Sequence, residues 1–246
     1  MARIKFMNTE IDNYSMEEVL EKIDEIISED KNAYVVNPNV DGIVKLEKDK
    51  EFKRVYENAE LILADGKPLI WMSKWYKTPI KEKISGSDLF PLVCEMAAKK
   101  GYTMFFLGAA EGVAQKAADN LKAKYSGLSV VGTYSPPMGF EKDDNEIKKI
   151  ISMVREASPH ILILGLGCPK QEKFIYRYRK ELGVPISLCM GASIDFEAGN
   201  VKRAPKWMSN AGLEWFYRLC KEPRRMFKRY IVDDTKIFSL YFKYRK

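Results

Sequence analysis

The sequence predicts an α/β protein with a doubly wound parallel sheet, followed by a basic, aromatic-rich helical tail. Stretches of strand length alternate with helical stretches along the first 195 residues, a pattern typical of parallel sheets. Several of the strand stretches are continuous apolar runs, as in strands buried on both faces. Residues 196–246 contain 13 Lys and Arg against 5 Asp and Glu, a net of +8, whereas the whole chain carries only +7. We therefore expect a near-neutral core, residues 1–195, and a basic appendage, residues 196–246.

The predicted elements follow one another without an internal repeat. Ser15 and Glu18 have the spacing of a capping box, which opens a helix. Ser87 is the predicted N-cap of a later helix. In the tail we expect one helix over 207–220 and a second that starts at Pro223. Buried strands are predicted at 33–36, 61–64, 103–107, 128–132, 161–164 and 185–190, and a helix is expected between each pair.

Polar side chains follow the first two of these strands directly. Asn37 and Asn39 come after the strand at 33–36, and Asp65 comes after the strand at 61–64. Ligands of open α/β sheets gather at the carboxyl ends of the strands, so these residues are candidates for a binding site. The same residue types also cap the helices that follow strands. Both roles are compatible for each residue.

A further candidate is the stretch that joins the strand at 161–164 to the next helix. Gly165 and Gly167 allow a tight turn, and Pro169 suits the first position of a helix. The backbone N–H groups there could bind a phosphate, or the stretch is an ordinary strand-to-helix connection. After the strand at 103–107, Gly108 and Gly112 imitate a dinucleotide-binding GxGxxG turn only in part. This disfavours a nicotinamide-dependent oxidoreductase.

Composition excludes several classes of protein. A hydrophobic fraction of 46% is sufficient for a large core. Four widely spaced cysteines and one histidine cannot build an ordinary zinc site, and we expect reduced thiols, a cytoplasmic protein, and neither a metal nor a cofactor. We expect no signal peptide and no membrane-spanning helix, because the apolar runs are too short.

The tail combines its positive charge with 11 aromatic residues between positions 196 and 246. This composition suits a membrane interface, where aromatic rings lie among lipid headgroups and basic side chains meet anionic lipid. It also suits a helical hairpin that packs on the core with its charges in water. Nucleic acid is the third alternative, and we do not expect it to be a partner.

Several motifs in this order resemble one known family, the WecG/TagA/CpsF family of bacterial glycosyltransferases, and the resemblance covers nearly the whole chain. The motifs are Asn37-Pro38-Asn39, Ala64-Asp65-Gly66, Ser85-Gly86-Ser87-Asp88-Leu89, Leu107-Gly108-Ala109, Gly165-x-Gly167-x-Pro169-Lys170-Gln171-Glu172, Arg203-Ala204-Pro205, Gly212-Leu213-Glu214-Trp215-Phe216-Tyr217-Arg218-Leu219 and Glu222-Pro223-Arg224-Arg225.

The resemblance implies a Rossmann-like fold and an inverting transfer of a sugar from a UDP-sugar donor to a polyprenyl-diphosphate-linked acceptor. In the teichoic-acid branch, the most similar one, N-acetylmannosamine moves to N-acetylglucosaminyl-diphosphoundecaprenol in a β-1,4 linkage. The enzyme would lie at the inner face of the cell membrane and approach it through the tail. A homo-oligomer is possible. The chain has no Asp-x-Asp motif, which in many glycosyltransferases holds a metal ion, so a metal-independent reaction is implied.

The resemblance also assigns roles to individual residues. Asp65 would be the general base, and Asn37 and Asn39 would orient the sugars. Substrate-binding roles fall to Lys83, Gly108, Gln171, Asp195, Arg218, Arg225 and Arg229, with the arginines neutralising the diphosphates.

The sequence departs from the family pattern at two positions. Asn37 stands where teichoic-acid members tend to have Thr, and Lys83 stands where many members have Arg, which alone gives bidentate phosphate geometry. The alternative function is therefore transfer of another sugar, glucose or N-acetylmannosamine uronic acid, for an exopolysaccharide. An alternative of a different class is a non-catalytic scaffold at the membrane surface.

Overall fold

In a computed structural model of the protein, the described residues are 3–245, together with their side chains except those of Lys206, Asn210 and Arg225. A six-stranded sheet has the order β4-β3-β8-β7-β5-β6, and every neighbouring pair is parallel. A separate two-stranded hairpin, β1-β2, precedes it. The strands are β1 Arg3–Phe6, β2 Thr9–Asp12, β3 Ala33–Val36, β4 Leu61–Ile62, β5 Thr103–Gly108, β6 Ser129–Tyr134, β7 Ile161–Gly165 and β8 Ile186–Cys189.

Helices cover both faces of the sheet, so the predicted α/β class is confirmed. The helices are α1 Met16–Glu29, α2 Val40–Leu46, α3 Lys50–Glu57, α4 Lys67–Trp75, α5 Gly86–Lys100, α6 Val113–Lys124, α7 Asp144–Ala157, α8 Lys170–Leu182, α9 Ser193–Glu197, α10 Lys206–Asn210, α11 Glu214–Lys221, α12 Pro223–Phe227 and α13 Lys236–Tyr244, with a 3₁₀ turn at Phe140–Lys142 and a π-helical turn at Lys228–Asp233.

The apolar run in β7 shows why the sheet is buried on both sides. Ile161 and Ile163 pack into one hydrophobic core, and Leu162 and Leu164 pack into the other. All four side chains are fully buried. Because successive side chains of a strand point to opposite faces, a run without a polar residue requires helices on both faces.

The N-terminal hairpin was not predicted. Its strands have only four residues each, which is too short for a clear alternating pattern. The hairpin is attached to the edge of the main sheet through Asp12. One carboxylate oxygen of Asp12 pairs with the Arg3 guanidinium at 2.9 Å, and the other accepts the backbone N–H of Ile62 in β4 at 2.8 Å.

Local predictions were confirmed at the start of α1 and wrong at α5. The capping box of Ser15 and Glu18 is present. Helix α5 begins at Gly86, and its N-cap position is Ser85 rather than Ser87, because the backbone is extended at Ser85. The helix expected over 207–220 is broken, since Gly212 has φ +75°, a left-handed conformation that separates α10 from α11.

The last helix of the tail packs on the sheet domain. Ile237 and Tyr241 of α13 are buried in the same core as Ile43 of α2. At the end of the helix, the Lys243 ammonium pairs with the Glu47 carboxylate at 2.5 Å. The tail therefore has a defined position over the carboxyl edge of the sheet. Among residues 3–245, no helix is both long and apolar enough to cross a membrane.

Candidate active site

Two cavities meet at the carboxyl edge of the sheet, above β4, β3, β8 and β7. The first, called the polar cavity below because many of its lining residues are polar or charged, has a volume of about 550 Å³, and the second has a volume of about 450 Å³ and is predominantly apolar. Asp65 lies where they join, because it lines both. The residues that line both cavities are Asn39, Asp65, Glu214, Arg218 and Arg229.

The position of Asp65 follows from the pairing of β3 with β4. The backbone N–H of Asp65 donates to the carbonyl of Pro38 at 2.8 Å, which joins the two strand ends. The chain then turns at Gly66, whose φ of +114° is in the glycine-favoured region, and enters α4. Gly66, not Asp65, occupies the N-cap position of α4. The carboxylate is thus left for the cavities.

Burial raises the pKa of Asp65 from its ordinary value of 3.8 to about 7. The negative charge of Glu214 raises this pKa further, whereas the positive charges of Lys83 and Arg218 oppose the shift. A carboxylate with a pKa near 7 is well matched to general-base catalysis at neutral pH. Strongly shifted groups in clefts are also frequent at functional sites.

Asn37 and Asn39 both line the first cavity, and they differ in how they are held. Asn37 donates its side-chain N–H to the carbonyl of Ile84 at 3.1 Å, and its buried Oδ1 has no partner among the described residues. Asn39 accepts the backbone N–H of Gly42 at 3.1 Å and so caps α2. The capping role predicted from sequence is confirmed for Asn39, which still lines both cavities.

Gln171 and Glu172 form a buried pair at the start of α8. The Gln171 side-chain amide donates to Glu172 Oε1 at 2.9 Å. The remaining oxygens, Gln171 Oε1 and Glu172 Oε2, are buried without a partner among the described residues. Burial raises the pKa of Glu172 to about 7. Together with Asn37 Oδ1, these are three buried oxygens without a described partner, and all three belong to residues that line the first cavity. Hydroxyl or N–H donors of a ligand would satisfy such oxygens.

Sequence reasoning missed Glu172 as a site residue, although the motif that contains it was recognised. A glutamate in the first turn of a surface helix is normally solvated, and only the packing of α8 against the sheet makes it buried. Its one signal in the sequence was its place beside Gln171 in the Pro169-Lys170-Gln171-Glu172 segment.

The tail contributes arginines to this site. The Arg218 guanidinium lies over the ring of Phe196, 5.9 Å from its centre. Arg229 lies 3.7 Å from the Asp41 carboxylate and 4.0 Å from that of Asp234. Arg218 and Arg229 both line the two cavities, and their predicted contacts with a diphosphate stay predictions. The side chain of Arg225 lies outside the described residues.

Lys83 has a structural partner that the sequence did not reveal. Its ammonium pairs with the Asp88 carboxylate at 2.5 Å, and Ser85 and Arg203 also bond this carboxylate. Burial of Asp88 acts to raise its pKa, but the hydrogen bonds from Lys83, Ser85 and Arg203 outweigh it and lower the pKa to about 2. Lys83 lines the second cavity, so its charge is shared between Asp88 and that cavity.

Two predicted residues lie at the carboxyl edge but outside the described lining of both cavities. Gly108 ends β5 with φ +122°, and a Cβ there would lie 2.5 Å from the backbone of Gly165. Asp195 lies in α9, where its carbonyl accepts the N–H of Asn200 at 3.2 Å. Their predicted contacts with a nucleotide stay predictions.

The fold and site together are typical of an α/β enzyme that binds a phosphorylated substrate at the carboxyl edge of its sheet. The carboxylate with a pKa near 7 and the nearby arginines suit transfer to a hydroxyl group. Among residues 3–245, no group of three or more His, Cys, Asp or Glu side chains is arranged to hold a metal ion.

The model of the glycosyl transferase WecG/TagA/CpsF family matches residues 4–246, and the chain belongs to this family. Two similar proteins are both described as N-acetylglucosaminyldiphosphoundecaprenol N-acetyl-beta-D-mannosaminyltransferase. The one from Bacillus spizizenii is 32% identical over 199 residues, which is 81% of this chain and 75% of the relative. The one from Bacillus subtilis is 35% identical over 178 residues, 72% of this chain and 67% of the relative. The resemblance seen in the motifs is confirmed, and the protein is a hexosyltransferase.

Proposed function

We propose that this protein is an inverting, metal-independent glycosyltransferase that moves N-acetylmannosamine from UDP-N-acetylmannosamine to N-acetylglucosaminyl-diphosphoundecaprenol. The product linkage is β-1,4, and the product serves teichoic acid or a related cell-surface glycan. The names of the two relatives support the acceptor and the transferred sugar. The observation that carries the proposal is Asp65, a carboxylate with a pKa of about 7 at the junction of a polar and an apolar cavity.

In the proposed reaction, ionised Asp65 takes the proton of the acceptor hydroxyl as its oxygen attacks the anomeric carbon of the donor. The bond from that carbon to the UDP oxygen breaks, and its electron pair leaves with UDP. Attack from the face opposite to UDP inverts the configuration. A positioned base contributes about 10²–10⁴-fold to such a rate.

The departing diphosphate needs positive charge. Arg218 and Arg229 supply it in the proposal, since both line the polar cavity. Lys45 also lines that cavity, but its charge is balanced by the Asp41 carboxylate, with which it pairs at 2.7 Å. The proposal also includes contacts of the nucleotide with Arg225, Gly108 and Asp195.

In the proposal, the sugars are recognised by side-chain oxygens of the polar cavity that can accept hydrogen bonds. Asn37, Gln171 and Glu172 each have a buried oxygen without a partner among residues 3–245, and the hydroxyl and acetamido groups of an N-acetylhexosamine are hydrogen-bond donors. Asn39 positions the sugars from the N-cap of α2, and Lys83 binds from the apolar side. These oxygens could accept hydrogen bonds from the hydroxyl groups of any hexose, so the donor sugar has to be established by a screen of UDP-sugars.

We further propose that the protein works as a peripheral protein at the cytoplasmic face of the membrane. Large aromatic side chains of the tail are exposed, among them Trp207 (66%) and Phe227 (58%). Basic residues accompany them, a combination that favours an interface with anionic lipid.

The test is a transfer assay with UDP-N-acetylmannosamine and a short-chain N-acetylglucosaminyl-diphospholipid. Asp65→Asn should lower kcat by about 10²–10⁴-fold, because the amide cannot take the proton. Asp119→Asn is the matched control, since Asp119 is exposed on α6, and it should retain full activity. Wild-type turnover by a folded Asp65→Asn variant would contradict the base assignment. Activity should persist in EDTA, and a loss that Mn²⁺ or Mg²⁺ restores would exclude a metal-independent reaction.

A further inference from the structure

The second cavity is an apolar groove between helix α4 and the tail, and the transfer of a sugar does not by itself require it. Its walls come from α4 on one side and from α11, the π-helical turn and α13 on the other. Its apolar side chains, which define the apolar groove, are Val40, Pro68, Trp71, Met72, Trp75, Trp215, Ile231, Ile237 and Phe238.

Several large apolar side chains of the groove are exposed, unlike those of the core. Trp71 is 44% exposed, Trp75 is 59% exposed and Phe238 is 55% exposed. Large exposed apolar patches of this kind mark binding surfaces in soluble proteins. The volume of about 450 Å³ falls within the roughly 300–1,000 Å³ of ligand pockets.

The groove is continuous with the polar cavity, and this continuity indicates what kind of molecule the groove binds. Asp65, Arg218 and Arg229 line both spaces. A molecule that extends from one to the other must therefore present a sugar or phosphate group at this junction and an apolar chain beyond it. An isoprenyl diphosphate that carries a sugar has that order of groups.

We propose that the apolar groove binds the first isoprene units of the acceptor's polyprenyl chain. The acceptor diphosphate then lies near Arg218 and Arg229, and the chain runs between α4 and α13 over Trp75 and Phe238. This inference rests on the proposed function for the class of acceptor. It adds a binding site for a single lipid chain, which is distinct from contact of the tail with a membrane surface.

The two exposed phenylalanines of α13 provide a matched pair for the test. Phe238 lines the groove, whereas Phe242, 70% exposed and one turn later on the same helix, is not among the described residues that line either cavity. Both substitutions to alanine remove the same exposed ring from the same helix. Neither side chain is buried in the core, so both variants are expected to fold.

The first measurement is intrinsic fluorescence, since three of the four tryptophans of the chain, Trp71, Trp75 and Trp215, line the groove. Farnesyl diphosphate, a water-soluble isoprenyl diphosphate, should produce a saturable change in emission, and inorganic diphosphate should not. Phe238→Ala should raise the Kd for farnesyl diphosphate about tenfold, and Phe242→Ala should leave it unchanged. Equal responses to both diphosphates, or equal Kd values for the two variants, would overturn the proposal.

The second measurement is turnover with acceptors of different chain length. Phe238→Ala should raise the KM for an isoprenyl acceptor about tenfold without changing the KM for the donor. If both variants lose only binding to phosphatidylglycerol vesicles, to the same extent, the groove is part of a membrane-contact face and the proposal fails. If farnesyl diphosphate binds as expected but no sugar is transferred, the groove assignment stands and the proposed function fails.

Discussion

The acid limb of the pH–rate profile is a direct test of the role of Asp65. Its pKa of about 7 lies about three pH units above the ordinary 3.8, which corresponds to roughly 4 kcal/mol at about 1.36 kcal/mol per unit. A base must be ionised to act, so kcat/KM should fall tenfold per pH unit below about 7 and level off above it.

The perturbation that isolates this effect is Glu214→Gln. Burial is the largest cause of the raised pKa, and the charge of Glu214 is the next. The substitution removes the charge and keeps an oxygen for the hydrogen bond from Ser209, which is 2.9 Å long. The acid limb should move to lower pH, on the order of one unit, the lower end of the range for neighbouring charges.

The assay is kcat/KM from pH 5 to pH 9 for the wild type, for Glu214→Gln and for a control. Glu181→Gln suits the control, because Glu181 is exposed on α8 and lines neither cavity among the described residues. Its profile should match that of the wild type. An acid limb that stays in place in Glu214→Gln, or moves to higher pH, would refute the electrostatic coupling of Glu214 to Asp65.

Two further predictions follow from buried carboxyl groups. Between pH 3.8 and about 7, Asp65 binds more protons in the native protein than in the unfolded chain, so its contribution to stability falls as the pH rises through that window. Asp65→Asn should therefore be more stable than the wild type at pH 8, by up to roughly 4 kcal/mol, and should show no such gain below pH 3.8. Denaturant unfolding of both proteins at pH 8 and below pH 3.8 measures this difference. Glu172→Gln replaces Glu172 Oε2, a hydrogen-bond acceptor without a described partner, by an amide nitrogen. The KM for the UDP-sugar should rise about tenfold in steady-state kinetics, and an unchanged KM would exclude a contact between this oxygen and the UDP-sugar.

Local chemistry in the sequence was enough to predict the fold class and several of the residues that line the first cavity. The continuous apolar run of β7 required burial on both faces, and it has that burial in both cores. Asn37 and Asp65 were candidates because each follows a strand, and parallel strands bring their carboxyl ends to one edge. The family motifs predicted the same residues, and the family assignment is confirmed.

The sequence patterns did not predict the hairpin β1-β2 or the breaks in the tail helices. Four-residue strands give too few positions for a period of two to be recognised. The break between α10 and α11 depends on the left-handed backbone of Gly212, where a Cβ would lie 2.6 Å from the ring of Trp71. That contact exists only because the tail packs on α4.

By itself, the sequence determined which residues end the strands, where the chain becomes basic, and to which family the protein belongs. Only the tertiary structure decided which of these residues meet. The strand order places β8 between β3 and β7, so that Asn37 and Gln171 line one cavity. The tail then adds Glu214 beside Asp65. A pKa near 7 arises from burial and from a charge about 150 residues away in the chain, and no local pattern encodes either one.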